Sequence, residues 1–273
     1  MDRCPKELLI DVALVRPVLE RFIKREVESA GLKGVVLGIS GGVDSATAAA
    51  LAASVLGPDN VTGVWLPYHD ESDRGDAQAV VERFGINFKE IPIAPMADAY
   101  LAQAGEVDDV RRGNVCARAR MIVLFDQSKE ANAMVMGTGN KTELLLGYFT
   151  LFGDAACSIA PLADLYKGQV YLLADALGVP ANVIDKTPSA GLWPGQTDEG
   201  EMGVPYFQLD RYLYYLVEKG ERPTKLLERG FDADFQRRAI ALINRNLFKR
   251  KVPVIASVTG KTITKRIELP QTF

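Results

Sequence analysis

Histidine is almost absent from this sequence, cysteine is scarce, and no uncharged apolar stretch is long. The one histidine, His69, removes histidine-based metal clusters and leaves Ser-His-Asp chemistry a single candidate base. The three cysteines, Cys4, Cys116 and Cys157, lie far apart and never in a Cys-x-x-Cys spacing. Neither a disulfide framework nor a thiolate zinc site is supported, and all three read as free thiols. The longest uncharged stretch, residues 45–58, has 14 residues, short of the roughly 18 needed to span a bilayer. The amino terminus MDRCPKELLID is charged and lacks the apolar segment of a secretory signal. A cytoplasmic protein without membrane association is the expectation. No repeat and no low-complexity tract occurs, which excludes solenoids and linker-rich chains.

What is present fits an ordinary α/β chain. Its 273 residues are 48% hydrophobic and 25% charged, enough for one sizeable core, and a single domain over 1–273 is expected. The net charge of -3 is unevenly spread, because residues 222–273 hold 12 Lys+Arg against 4 Asp+Glu. That asymmetry is compatible with a phosphate-rich ligand, with an acidic surface of another subunit, or with a solvated basic helix.

Apolar positions at helical spacing predict a helix within residues 11–29, with Pro17 breaking or offsetting its start. The β-branched run 34–39, the Ala-rich helix 43–56, a strand at 61–66, a helix at 75–84 and a strand at 88–93 then spell βαβαβ. A helix over about 110–131 is expected to present Val115, Ala119, Ile122, Val123 and Phe125 inward, before a fourth buried strand at 133–138. Helix 169–177 ends at Gly178, residues 187–203 read as a long mobile loop, and 206–247 as helix in two or three pieces before an irregular tail. The expected class is α/β, an open parallel sheet flanked by helices in a Rossmann-like three-layer arrangement, with C-terminal helices.

The segment Gly38-Ile39-Ser40-Gly41-Gly42-Val43-Asp44-Ser45 stands at the carboxyl end of the first strand, where open parallel sheets bind ligands. Glycines allow close backbone approach, successive N–H groups and the following helix N-terminus favour anionic oxygens, and Ser40 and Ser45 add hydroxyls. Asp44, itself an anion, implies a bridging Mg²⁺. No Lys follows the glycines as a Walker A loop requires, and their spacing misses the G-x-G-x-x-G of dinucleotide-binding folds.

SGGVDS resembles the signature loop of the N-type ATP pyrophosphatases, the PP-loop enzymes of adenine nucleotide alpha hydrolase-like fold. The segments GTGNKTE (137–143), GYFTLFGD (147–154), Pro161-Leu162 through Tyr166-Lys167, PSAGLWPGQTDE (188–199) and NVCARARM (114–121) together resemble the core of the NAD+ synthetase family over about residues 11–251. The resemblance implies a ligase that adenylylates the nicotinate carboxylate of deamido-NAD+ with ATP, releases pyrophosphate, and lets ammonia displace AMP. It implies ATP contacts at residues 38–45 and at Thr138, Lys167 and Ser189, metal ligation at Asp44 and Glu143, and dinucleotide contacts at Arg118, Leu151, Ser158, Phe248 and Lys249. Lys167 joins Asp44 and Glu143 as the catalytic set.

Three positions depart from the common bacterial pattern: Phe248 stands for His, Leu151 for Lys and Ser158 for Asp. The glutamine-hydrolysing domain of longer members does not fit the roughly 30 residues before the first strand. Ammonia is therefore expected free or from a separate glutaminase. A homodimer is also implied, for which helix 109–131, apolar on more than one side, and the aromatic segment YFQLDRYLYYLV (206–217) are the candidate surfaces. Another PP-loop amidation or thiolation, GMP-synthesising or tRNA-modifying, and a non-catalytic ATP-binding protein remain alternatives; no nucleic-acid partner is expected.

On the residues alone, the ordinary reading of Glu143 is an acid complementing a helix dipole, and of Lys167 a solvated surface lysine. Arg111 and Arg118, seven apart on one helical face, are able to hold a phosphate together.

Overall fold

α1 (Val12–Ser29) leads into β1 (Gly34–Gly38), and every apolar position of that strand is buried. In a computed structural model, which describes residues 3–69, 73–193, 195–250 and 256, four parallel strands pair in the order β3-β2-β1-β4. These are β2 (Val61–Trp65), β3 (Asn87–Glu90) and β4 (Ala133–Val135), with Val35 of β1 opposite Val61 on one side and Met134 on the other. Helices α2 (Val43–Leu56), α3 (Arg74–Phe84), α4 (Ala94–Leu101) and α5 (Asp109–Glu130) make the crossovers.

The strand period of two divides the core. Val35 and Leu37 pack with Ile23, Val27 and Leu51 beneath α1 and α2, whereas Val36 packs with Ile93, Val123 and Leu124 beneath α4 and α5. Three layers result, as the alternation predicts. After β2 and β3 have been laid down on one side of β1, the chain returns to add β4 on the other. That reversal opens a crevice beyond the carboxyl ends of β1 and β4.

The second half is helical: α6 (Lys141–Leu146), α7 (Lys167–Leu177), α8 (Ala181–Asp185), α9 (Asp198–Met202), α10 (Tyr206–Leu213), α11 (Pro223–Glu228) and α12 (Ala233–Asn246). α7 returns to the sheet face beside α2, while α6, α10, α11 and α12 enclose a separate cluster around Leu146, Tyr166, Leu209, Tyr212 and Phe235. α2 is buried almost all round, and its alanines let α1, α3 and α7 approach closely. No helix among the described residues is long and apolar enough to cross a membrane.

Several expectations need correction. Pro17 does not break α1, because it and Ala13, whose carbonyl loses its donor, are both exposed, so the missing bond leaves no buried carbonyl without a partner. Ile122 and Phe125 point outward, 61% and 44% exposed, since α5 buries the face carrying Cys116, Ala119, Val123 and Leu124. Within 206–217, Tyr206, Tyr212 and Tyr215 pack into the core of the helical layer, whereas Phe207 is 41% exposed. Residues 187–203 are not wholly irregular, for Thr197 caps α9 by accepting from the Gly200 N–H. Cys116 is buried but Cys157 only half-buried, and His69 takes a left-handed turn conformation with φ of 54°. The expected irregular tail beyond residue 250 lies outside the described residues, Ala256 excepted.

Candidate active site

The turn after β1 is knitted by its own hydroxyls. Ser45 Oγ accepts from the Ser40 N–H (3.3 Å) and donates to the Gly42 carbonyl (3.0 Å), and Ser40 Oγ accepts from the Gly42 N–H (3.3 Å). Gly41 has φ of +72°, and a Cβ there would stand 2.8 Å from Asp76 Cβ and 3.1 Å from the Asp73 carbonyl. Only glycine suits both the conformation and the space. Gly41→Ala should therefore lower the melting temperature and weaken ATP binding together, with strain of about 1–3 kcal/mol. Thermal melts and ATP titration calorimetry check this, and an unchanged melt rejects the steric account.

The crevice is a cavity of about 490 Å³ whose wall includes Gly38, Ile39, Ser40, Gly42, Val43, Asp44 and Ser45. That size suits a nucleotide-scale ligand. Gly41 is not on the wall; it turns toward α3.

A buried ammonium organises the charges. Lys167, the first residue of α7, is 3% exposed, ion-pairs with Asp44, lies 3.9 Å from Glu143 Oε1, and stacks over the Tyr206 ring at 5.1 Å. Asn140 orders the acids around it. Its Oδ1 accepts from the Glu143 N–H (3.0 Å), its own N–H donates to Glu143 Oε2 (3.1 Å), and its Nδ2 donates to Asp44 Oδ1 (3.0 Å). The first two bonds form a capping box that starts α6, so a helix signal and a site residue coincide. A third carboxylate, Asp198, accepts from the Tyr206 hydroxyl (3.0 Å) and from Tyr148 (3.2 Å).

Burial, then the Asp44 charge, pushes the Glu143 carboxyl above its ordinary range, against Lys167 and the Asn140 N–H. Burial likewise raises Asp198. For Lys167 burial acts downward, but Asp44 and Glu143 outweigh it and raise the group, so it stays an ammonium. Three acids therefore gather around one ammonium beside the glycine turn.

Such a site suits a hard cation that takes its remaining ligands from a phosphate. Among the described residues no group of three or more His, Cys, Asp or Glu forms a metal cage. Mg²⁺ does not need one, since it is commonly held by one or two carboxylates plus substrate oxygens. Asp44 and Glu143 fit that mode.

Thr138, Lys167, Ser189 and Lys249 also line the cavity. Ser189 donates to the Gln196 carbonyl (2.7 Å) and accepts from the Gly191 N–H (3.1 Å), closing residues 187–203 on themselves. Lys249 donates to the Gly147 and Phe149 carbonyls, both at 2.8 Å. The rest of the expected dinucleotide set is off the wall: Ser158 and Phe248 are exposed, and Arg118, exposed on α5, donates to the Leu151 carbonyl at 3.1 Å. Arg111 bonds the Glu106 carbonyl rather than joining Arg118.

Sequence reading missed Asn140, Tyr148, Asp154, Asp198, Tyr206 and Lys186, all but Asn140 and Tyr206 on the wall. The N-x-x-E pattern at 140–143 signals the first. Lys186 bridges Asp73 (2.7 Å) and Asp76 (2.8 Å), a long-range pairing without a local signal.

The family model described as NAD synthase matches residues 15–253. An NH(3)-dependent NAD(+) synthetase of Trichlorobacter lovleyi is 45% identical over 94% of this chain and 95% of its own. Among solved structures, an NMN synthetase from Francisella tularensis superposes with a TM-score of 0.81 at 36% identity, covering 91% of this chain and 99% of that one. The NH3-dependent NAD synthetase from Campylobacter jejuni gives 0.78 at 32% identity, covering 91% and 100%. The parallel sheet, the glycine turn at its switch point and a likeness running nearly end to end lead to one conclusion: this chain belongs to the NAD synthase family.

Proposed function

We propose that the protein is a C–N bond-forming ligase that converts deamido-NAD+ to NAD+. The nicotinate carboxylate attacks the α-phosphorus of ATP and pyrophosphate leaves; ammonia then attacks the acyl carbon, AMP leaves, and the ammonia sheds a proton. The observation that carries this reading is the opposition of Asp44 and Glu143 across Lys167 beside the serine-glycine turn, in one cavity.

The residues divide the work. Backbone N–H groups of the turn and the hydroxyls of Ser40 and Ser45 bind the leaving phosphates, with Thr138 and Ser189 on the same wall. Lys167 places a permanent positive charge where negative charge grows, in a setting preorganised by Asn140 and Tyr206. Asp44 and Glu143 would hold Mg²⁺, which supplies charge neutralisation to the departing pyrophosphate. Leu192 and Trp193, on the cavity wall, exclude water from the acyl adenylate, which water would otherwise hydrolyse. The ammonia comes free or from a separate glutaminase, in the cytoplasm.

Incubation with ATP, Mg²⁺, ammonium and deamido-NAD+ should give NAD+, AMP and pyrophosphate in equal amounts. ADP in place of AMP would overturn the mechanism. The likeness to an NMN synthetase makes nicotinate mononucleotide the acceptor to run in parallel. Family membership gives no support to GMP synthesis, tRNA modification or a non-catalytic role.

A homodimer completes the reading. Val110, Arg118, Ile122 and Phe125 share one face of α5, and the three apolar ones are 44–61% exposed beside Phe152 at 61%. This apolar stripe around Arg118 supports binding of the dinucleotide by Arg118, Leu151, Ser158 and Phe248 at a subunit boundary. Light scattering should give a mass near twice the 29.8 kDa of one chain, and the monomer mass would reject the boundary site.

A further inference from the structure

The first turns of α6 and α7 carry Glu143 and Lys167, and a buried carboxylate outside the cavity ties them together. Asp210 of α10 is wholly buried. Its Oδ1 accepts from the Thr142 hydroxyl (2.5 Å) and its Oδ2 from the Gly168 N–H (2.7 Å). Thr142 Oγ1 in turn accepts from the Lys167 N–H (3.0 Å). The opening N–H groups of a helix have no partners within it. In α7 two of them are taken up by this relay, one by Asp210 directly and one through the residue beside Glu143.

The arrangement is sealed against water. A Cβ on Gly168 would stand 2.9 Å from both the Arg3 carbonyl and Cys4 Cα, so the amino-terminal segment covers the relay closely. Burying a carboxylate held by a hydroxyl and backbone N–H groups is unfavourable beside an apolar side chain of like size. A fixed geometry is what the acid offers in exchange.

We infer that Asp210 is a positioning residue: through Thr142 and Gly168 it holds the starts of α6 and α7 in register, so that Glu143 and the Lys167 ammonium face Asp44. The effect on turnover rests on the ligase reading above; the effect on the two helix starts does not. Asp210→Asn turns an amide N–H toward the Thr142 hydroxyl or the Gly168 N–H, and Thr142→Val removes the link to Lys167. Thr142→Ser keeps the link. Tyr212→Phe, on the same helix, removes a buried hydroxyl that has no hydrogen-bond partner among the described residues, and serves as the control.

Per folded molecule, kcat should fall about 10- to 100-fold in Asp210→Asn and in Thr142→Val with little change in KM for ATP, as expected when reacting groups are displaced by a fraction of an ångström. The double variant should lose no more than the worse single one, because both break one relay. Thr142→Ser and Tyr212→Phe should stay near wild type. Hydrogen exchange should quicken at residues 141–146 and 167–170 in the impaired variants, and not in α1. Lowered melting temperatures with unchanged kcat per folded molecule would reduce Asp210 to a structural cap and overturn the inference. If Asp210→Asn does not fold, Thr142→Val decides. A wild-type protein that makes no NAD+ defeats the ligase reading instead; helix starts exchanging no faster in Thr142→Val than in wild type would then overturn the register itself.

Discussion

Asp44→Asn should lower NAD+ formation by about 100- to 1,000-fold, the range expected for removing one preorganised electrostatic partner. Asp44 is the only carboxylate inside the glycine turn, and both its oxygens are engaged, one by Lys167 and one by Asn140. The amide has the same shape, so α2 and the turn persist. What changes is charge: a hard cation loses an anionic ligand, and Lys167 is left with Glu143 at 3.9 Å. Rapid-mixing measurement of pyrophosphate release isolates the adenylylation step. Near wild-type rates in both Asp44→Asn and Glu143→Gln would show that the two acids do not hold the metal.

Lys167→Met should impair stability as well as activity. Removing one partner of a buried ion pair leaves uncompensated charge and typically costs about 3–5 kcal/mol. Here Asp44, Glu143 and Asp198 would face each other with no ammonium between them. The Glu143 and Asp198 carboxyls, already raised by burial, would rise further above the values of the unfolded chain, so the folded state would hold protons that the unfolded state releases. Stability then falls as pH rises through that window and returns as pH drops toward the ordinary carboxylate range. Urea unfolding with chelator at about pH 5 and about pH 7.5 checks the sign. A loss equal at both pH values would mean that packing, not charge, is what Lys167 contributes.

The sheet was legible where period and burial agree. β1 is a buried β-branched run, α2 begins at glycines, and α5 has enough length to be unmistakable. The cradle was legible for the same reason: a strand, a glycine turn and a helix are consecutive, so chemistry and local structure share one stretch of chain. α4 was missed because eight residues are too few to show a period, and α6, six residues long, was read only as a helix start at Glu143. The partners of Lys167 were beyond local reading, since Asp44 lies 123 residues away and it takes the return from β3 to β4, laid beside β1, to bring them together. Ile122 and Phe125 misled because a helix apolar on two sides gives no sign of which side meets its own core. The aromatic residues of 206–217 were ambiguous in the opposite sense, since such side chains suit an interface and an interior alike, and Tyr206 and Tyr212 are buried while Phe207 is exposed.

The lock on Asn140 also bears on how the protein ages. Asparagine deamidates when the next backbone nitrogen attacks its side-chain carbonyl carbon, and the aspartate formed here would set a carboxylate against Asp44 Oδ1, where Nδ2 now donates at 3.0 Å. That nitrogen, on Lys141, donates to the Leu165 carbonyl at 2.8 Å, and Asn140 is wholly shut off from the water that the hydrolysis requires. The bonds that orient the acids therefore also protect the amide, and long incubation should leave Asn140 intact until the fold opens.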